Sequence, residues 1–104
     1  MAQSNTSRIR HSVIFKLKHP KGSSEERDFL KAAKKLAAIP GVEKFECLKQ
    51  VSKENKFDFG ISMEFASQQL YDQYSNHPDH TAFVQQRWMK EVEDFLEIDF
   101  ELIA

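Results

Sequence analysis

The stretch YSNHPDH, residues 74–80, decides how the second half of the chain folds. Apolar side chains recur at helical spacing both before and after it. Pro78 has no backbone N–H and disfavours helical geometry at the residue before it, so one helix should end near Ser75. A second helix can begin with the proline in its first turn, where the missing N–H costs no hydrogen bond. We therefore predict a helix–helix joint that carries His77 and His80.

The composition indicates one small cytoplasmic domain. The chain has 104 residues, of which 40% are hydrophobic, including nine phenylalanines, enough for one modest core. Its net charge is −1 without a block of like charge, so we predict no nucleic-acid partner and no membrane partner. The single cysteine, Cys47, cannot form an internal disulfide, which fits a reducing compartment. We expect a flexible tail at 1–7 and a single domain at 8–104.

Two segments alternate between apolar and polar side chains, as half-buried strands do. In residues 8–18 the apolar side includes His11, and only Ile14 departs from the alternation. Residues 57–65 alternate without exception. We expect the apolar sides to face helices; the residues concerned are Val13, Phe15, Ile61, Met63 and Phe65. His11 lies among them, where an imidazole must find a polar partner.

Two further strands are predicted from weaker or different patterns. Residues 42–51 alternate less regularly, and Leu48 falls on the wrong side, which indicates a bulge or an edge strand. Residues 95–103 alternate apolar side chains with acidic ones such as Glu97 and Asp99. The last strand should therefore have one acidic face.

Helices fill the remaining segments. Ser23 begins a capping box, and the helix that follows should stop at Pro40-Gly41. Ser67 caps the helix before the joint, and the helix after the joint should run to about Glu93. The side chains expected to face the sheet are Phe29, Leu36, Phe83 and Trp88. The order β-α-β-β-α(α)-β predicts a ferredoxin-like α+β subunit with a four-stranded antiparallel sheet.

Such a sheet has helices on one face only. The other face is mixed here, because it carries Arg10 and Ile14 from the first strand with Asp58 and Glu64 from the third. The polar-lined interior of a dimer would suit this face, and so would solvent.

Four segments together resemble the stress-responsive α/β-barrel (Dabb) domain family. They are strand 9–18 with its histidine, the turn 39–42, the block 74–84 with the pattern His-Pro-x-His, and the acidic-apolar strand 98–101. The resemblance implies a homodimeric α/β barrel, in which the sheets of two ferredoxin-like subunits close face to face. It also implies a small-molecule pocket beneath the helices.

The resemblance implies roles for particular residues. A polyketide cyclase of this family catalyses an intramolecular aldol condensation without metal or organic cofactor. Its catalytic tyrosine and histidine fall on Tyr74 and His80, and its first-strand histidine falls on His11. A further pocket histidine falls on Phe59, so the pocket here should be more apolar.

Other positions complete the predicted site. Val13 and Phe83 are expected to bind substrate together with His11 and Phe59, while His77 and Pro78 form the structural motif of the joint. We predict no metal site and no cofactor. The expected ligand is a small apolar or polyketide-like molecule.

Two classes of function remain open. In the first, the protein is a cofactor-independent enzyme or a small-molecule binder, in which a neutral imidazole removes an acidic proton. In the second, it is a structural or stress-response dimer without a reaction, and Tyr74 and His80 form hydrogen bonds inside the fold. A cavity of a few hundred Å³ that reaches Tyr74, His80 and His11 would favour the first.

Overall fold

The computed structural model describes residues 8–103, so the predicted tail at 1–7 lies outside the described residues. The strands are β1 (Ile9–Leu17), β2 (Glu43–Lys49), β3 (Phe59–Phe65) and β4 (Val92–Glu101). The helices are α1 (Ser24–Lys34), α2 (Gln68–Asn76), α3 (Pro78–Phe83) and α4 (Met89–Glu91). A 3₁₀ turn, Lys35–Ala38, follows α1, and a π-helical turn, Val84–Trp88, joins α3 to α4.

The four strands form one antiparallel sheet in the order β2-β3-β1-β4. The ferredoxin-like α+β class predicted from the element order is confirmed. β2 is an edge strand, and its pairing with β3 shifts register between Glu43 and Glu46, where Lys44 has a φ of 51°. The predicted bulge or edge position of β2 is therefore correct on both counts.

The helix starts follow from local capping. Ser23 accepts a hydrogen bond from the backbone N–H of Glu26 (3.2 Å), and Ser67 accepts one from that of Leu70 (3.2 Å). Each serine satisfies one of the N–H groups that a first helical turn leaves without a partner. The first helix is followed by Gly41 at a φ of 92°, a conformation that costs glycine little.

The core lies between the helices and one face of the sheet. Its side chains with the least exposure are Phe15, Phe29, Met63 and Phe65. The Phe15 ring lies 5.8 Å from the ring of Phe29 and 5.0 Å from that of Trp88. The predicted facing of β1 and β3 toward the helices is thus confirmed.

Two predicted boundaries need correction: the last strand was expected to begin at residue 95, and the helix before it was expected to run to about Glu93. β4 begins at Val92, and the preceding helix ends at Glu91, because pairing with β1 continues as far as Leu17. A backbone hydrogen bond from Lys18 N–H to the Glu91 carbonyl (2.8 Å) closes this end. Tertiary pairing therefore overrides the helical pattern of the sequence.

No helix within residues 8–103 is both long enough and apolar enough to cross a membrane.

The packing of Phe65 gives a first prediction. Its side chain is 0% exposed, so Phe65→Ala should lower the free energy of unfolding by about 3–5 kcal/mol. Urea denaturation followed by tryptophan fluorescence would measure the change. The control, Val51→Ala at a side chain that is 82% exposed, should stay within about 0.5 kcal/mol of the parent. A Phe65→Ala effect as small as that of the control would contradict the strand register.

Candidate functional site

A cavity of about 540 Å³ lies between the helix-facing side of the sheet and the segment from α2 to α4. Its floor is formed by strand side chains, and its roof by helix side chains, most of them apolar. The floor residues are His11, Val13, Ile61 and Met63, and the roof residues include Tyr74, His80, Phe83, Val84 and Trp88. The start of β4 forms one side of the cavity with Glu93, Asp94, Phe95 and Glu97.

Most of the residues predicted for the site lie together. Those that line the cavity are His11, Val13, Tyr74, His80 and Phe83. Phe59 does not line it, because its ring packs against Phe15 (5.7 Å between centroids), beside which it lies in the sheet. The expectation that Phe59 lines the pocket is therefore wrong. The chemical roles of the other five residues remain predictions.

The helix–helix joint is held by His77. Its backbone N–H donates to the Tyr74 carbonyl at the end of α2 (3.1 Å), and its Nδ1 accepts from the backbone N–H of Asp79 in α3 (3.0 Å). Pro78 occupies the first position of α3, where no N–H is needed. These bonds fix the two helices so that Tyr74 and His80 face the same space.

The orientation of His80 leaves one ring nitrogen for a ligand. Its Nδ1–H donates to the Ser75 carbonyl (3.1 Å), so Nε2 carries the lone pair in the neutral ring. Burial lowers the pKa of His80, and the bond to Ser75 offsets part of that shift. A neutral imidazole at pH 7 is a general base.

Tyr74 lies directly against His80. The two ring centroids are 4.6 Å apart, and Tyr74 is 2% exposed. Within residues 8–103 its hydroxyl has no hydrogen-bond partner, and no polar side-chain atom there is both fully buried and unbonded. Burial, followed by the charge of Glu97, raises the pKa of Tyr74 above its usual value. The tyrosine therefore stays protonated and can donate a hydrogen bond into the cavity.

A polar cluster that the sequence did not predict surrounds His11. Its Nδ1 lies 2.6 Å from Asp99 Oδ1 and 2.9 Å from the Tyr71 hydroxyl. The Tyr71 hydroxyl donates to the other carboxylate oxygen of Asp99 (2.9 Å). The carboxylate can only accept, so the His11 Nδ1 carries a proton toward it. This bond supplies the polar partner that an imidazole on the apolar face requires.

The cluster arises from the facing of β4. Asp99 pairs with His11 and Glu97 pairs with Val13, so the acidic side of β4 faces the helices and its apolar side faces away. Glu97 Oε2 lies 3.7 Å from His11 Nε2. The acidic alternation of the strand was visible in the sequence, but its direction depends on the register with β1.

The roof of the cavity includes the π-helical turn Val84–Trp88. Its ends, Val84 and Trp88, both line the cavity. A π-helical turn makes hydrogen bonds from residue i to i+5 and is wider than an α-helical turn, and such turns are frequent at functional sites.

In the described part of the chain, no three His, Cys, Asp or Glu side chains are grouped so that they could hold a metal ion.

The fold and the cavity define a class of protein, a ferredoxin-like subunit whose helices cover a small-molecule-sized space. The model of the stress responsive A/B barrel domain family (Dabb) matches residues 9–102. The chain belongs to this family.

Solved structures agree with that membership. A Dabb family protein with a ferredoxin-like fold from Mesorhizobium loti is 54% identical, with 93% of this chain and 98% of that chain covered and a TM-score of 0.92. A dimeric ferredoxin-like protein of unknown function from Thermobifida fusca is 23% identical over 91% of each chain, with a TM-score of 0.75.

A third similar structure belongs to an enzyme. The hydroxynitrile lyase from Passiflora edulis is 12% identical, with 95% of this chain and 96% of that chain covered and a TM-score of 0.82. At this identity, and at that of the Thermobifida protein, the likeness concerns the fold alone. No curated protein sequence matches the chain significantly.

The environment of His80 predicts its titration. Since burial lowers its pKa, an NMR titration of the imidazole should give a midpoint below about 6.5, the value of an unperturbed histidine. The unfolded chain takes up this proton at higher pH than the folded chain does. His80 should therefore reduce stability as pH falls through 6.5 and have no such effect above it. A midpoint above that of His80 in the urea-unfolded chain would contradict the partial burial of the imidazole.

Proposed function

We propose that this protein is a cytoplasmic homodimer that binds a small apolar molecule beneath its helices and performs acid/base chemistry on it without a cofactor. The observation that carries this proposal is the contact between the rings of Tyr74 and His80 at the wall of one cavity, where the Tyr74 hydroxyl has no hydrogen-bond partner among residues 8–103. The volume of about 540 Å³ lies within the range of small-molecule sites, roughly 300–1,000 Å³.

The two groups suit the removal of a proton beside a carbonyl. His80 presents Nε2 as the base, because Nδ1 is bonded to Ser75. Tyr74, whose pKa is raised, keeps its proton and can donate a hydrogen bond to the carbonyl oxygen as negative charge develops there. Environments that push two pKa values apart in this way assign the base and the donor.

This chemistry is of the type used in polyketide cyclisation. An enolate formed beside one carbonyl of a flexible chain can attack a second carbonyl of the same molecule, and the protein needs only to hold the chain folded. The same fold occurs in an enzyme, the hydroxynitrile lyase from Passiflora edulis, which is consistent with catalytic use of such a subunit. The alternative, a dimer without a reaction, is less favoured because Phe83 and Trp88 line the cavity without filling it.

The homodimer is supported by an apolar row on the outer face of the sheet. Leu48 lies beside Gly60, Gly60 beside Ile14, and Ile14 beside Leu96, so the row crosses all four strands. Leu48 and Leu96 are 45% and 49% exposed. Ile98 and Phe100 extend the exposed apolar surface along β4. A second copy that pairs its sheet with this face would remove the surface from water.

The base role predicts the effect of His80→Gln on proton exchange. The probe is 1-indanone, a small apolar ketone, whose α-proton exchange in D₂O is followed by NMR at pH 7. The wild-type protein should accelerate exchange over buffer, and His80→Gln should reduce that acceleration by about 10²-fold or more. Tyr74→Phe should reduce it by about 10²-fold through loss of the donor.

The matched control is His19→Gln. His19 bonds to Glu91 (2.8 Å) and does not line the cavity, so exchange should be unchanged. Exchange in the presence of the wild-type protein that is no faster than in buffer, or an equal loss in the His19 variant, would contradict the proposal.

The dimer predicts a mass of twice the 12.1 kDa of one chain. Light scattering at micromolar concentration would measure it. Ile98→Glu should shift the mass toward that of one chain, because the charge would lie on the covered face. Val51→Glu, at a loop residue that is 82% exposed, should leave the dimer intact. A wild-type mass of one chain would contradict the proposed interface.

A further inference from the structure

The charged side chains at the cavity are all of one sign. Glu93, Asp94 and Glu97 line it along β4, whereas no lysine or arginine of residues 8–103 lines it. Asp99 adds a fourth carboxylate behind His11. The titratable groups on the opposite wall are His80 and Tyr74, neither of which carries positive charge at neutral pH.

Only part of this negative charge is neutralised. Lys56 forms an ion pair with Asp94, while His11 is the only basic residue among 8–103 within ion-pair distance of Glu97. One lysine and one histidine thus face four carboxylates. The effect reaches the interior, because the charge of Glu97 contributes, after burial, to the raised pKa of Tyr74.

Aromatic rings stand beside these carboxylates. Phe95 lies edge-on to Trp88, with 5.5 Å between the ring centroids, and both line the cavity. Phe95 is 50% exposed even though it points to the helix side, so it lies where the cavity opens. Aromatic faces and a nearby carboxylate are the two features that attract an organic ammonium group.

We infer that the ligand of this cavity is an aromatic or alkyl molecule with a protonated amine, and that carboxylic acids are excluded. This inference rests on the proposed function for the existence of a ligand, and it names that ligand's chemical class. The apolar part lies between the sheet and the roof, near Met63 and Phe83. The ammonium lies at the opening, with Glu97 as its counter-ion. The Tyr74 hydroxyl, which has no partner within residues 8–103, remains available at the inner end.

A carboxylate in the same place would be repelled. It would meet Glu97 with no lysine or arginine of residues 8–103 on the cavity wall to offset the repulsion, and like charges brought together oppose binding even when water partly screens them. The selectivity therefore comes from repulsion of acids as well as from attraction of amines.

Three indole probes of similar shape test the inference. Tryptamine carries an ammonium, tryptophol a hydroxyl and indole-3-propionate a carboxylate on similar chains. Calorimetry with the full chain at pH 7 should show tryptamine binding about five- to tenfold more tightly than tryptophol, the effect of one partly screened ion pair. Indole-3-propionate should bind more weakly than tryptophol.

The variant Glu97→Gln assigns the selectivity to one side chain. Glu97 is 54% exposed at its side chain, so its loss should leave the fold intact. The variant should lose most of the preference for tryptamine over tryptophol and bind indole-3-propionate more tightly. The control, Glu54→Gln in the exposed loop before β3, should change none of the three affinities. Added salt should reduce the preference in the wild-type protein.

The outcomes separate this inference from the proposed reaction. Indole-3-propionate that binds as tightly as tryptamine, a preference that survives Glu97→Gln, or no binding of any probe would overturn the amine assignment. Selective binding of tryptamine without exchange of 1-indanone protons would retain the ligand class and refute the reaction.

Discussion

The register between β1 and β4 is the constraint on which the rest of the structure depends. Because side chains alternate across a strand, a slip of one residue would move every β4 side chain to the other face of the sheet. In the observed register His11 lies beside Asp99, and Val13 lies beside Glu97. The same pairing that gives His11 its polar partner therefore sets the charge of the cavity and turns the apolar side of β4 outward.

Two residues that break the sequence pattern have a common explanation. Ile14 and Leu48 each fall on the side of their strand that is otherwise polar, and each lies beside Gly60. A Cβ atom placed at Gly60 would lie 3.6 Å from Ile14 Cγ2 and 3.9 Å from Leu48 Cβ. The two side chains thus close over the glycine and continue to Leu96. What the sequence shows as isolated exceptions is one connected apolar surface on the face that helices leave open.

The sequence predicted the parts that depend on local physics. Alternation identified β1 and β3, and Pro78 located the joint. The family resemblance predicted that Tyr74 and His80 share one site, and both line the cavity. The sequence did not predict the contacts of Tyr71 and Asp99. Strand pairing places Asp99 beside His11, and the Tyr71 hydroxyl reaches both side chains from α2. The sequence correctly placed Phe59 on the side of β3 that faces the helices. It did not show that the position of Phe59 along β3 lies beside Phe15 and away from the cavity.

The carboxylate of Glu97 has two opposite effects on a reaction at a carbonyl. Glu97 favours the protonated form of His80, which the base must become. It disfavours negative charge on a carbonyl oxygen, for which the Tyr74 hydroxyl is the donor beside His80. A protonated amine on the ligand would offset this second effect, because it would compensate Glu97 at the opening while Tyr74 supports the oxygen at the inner end. An acid/base site with this charge distribution is therefore better matched to an aminoketone than to a keto acid, although both contain the same reactive carbonyl.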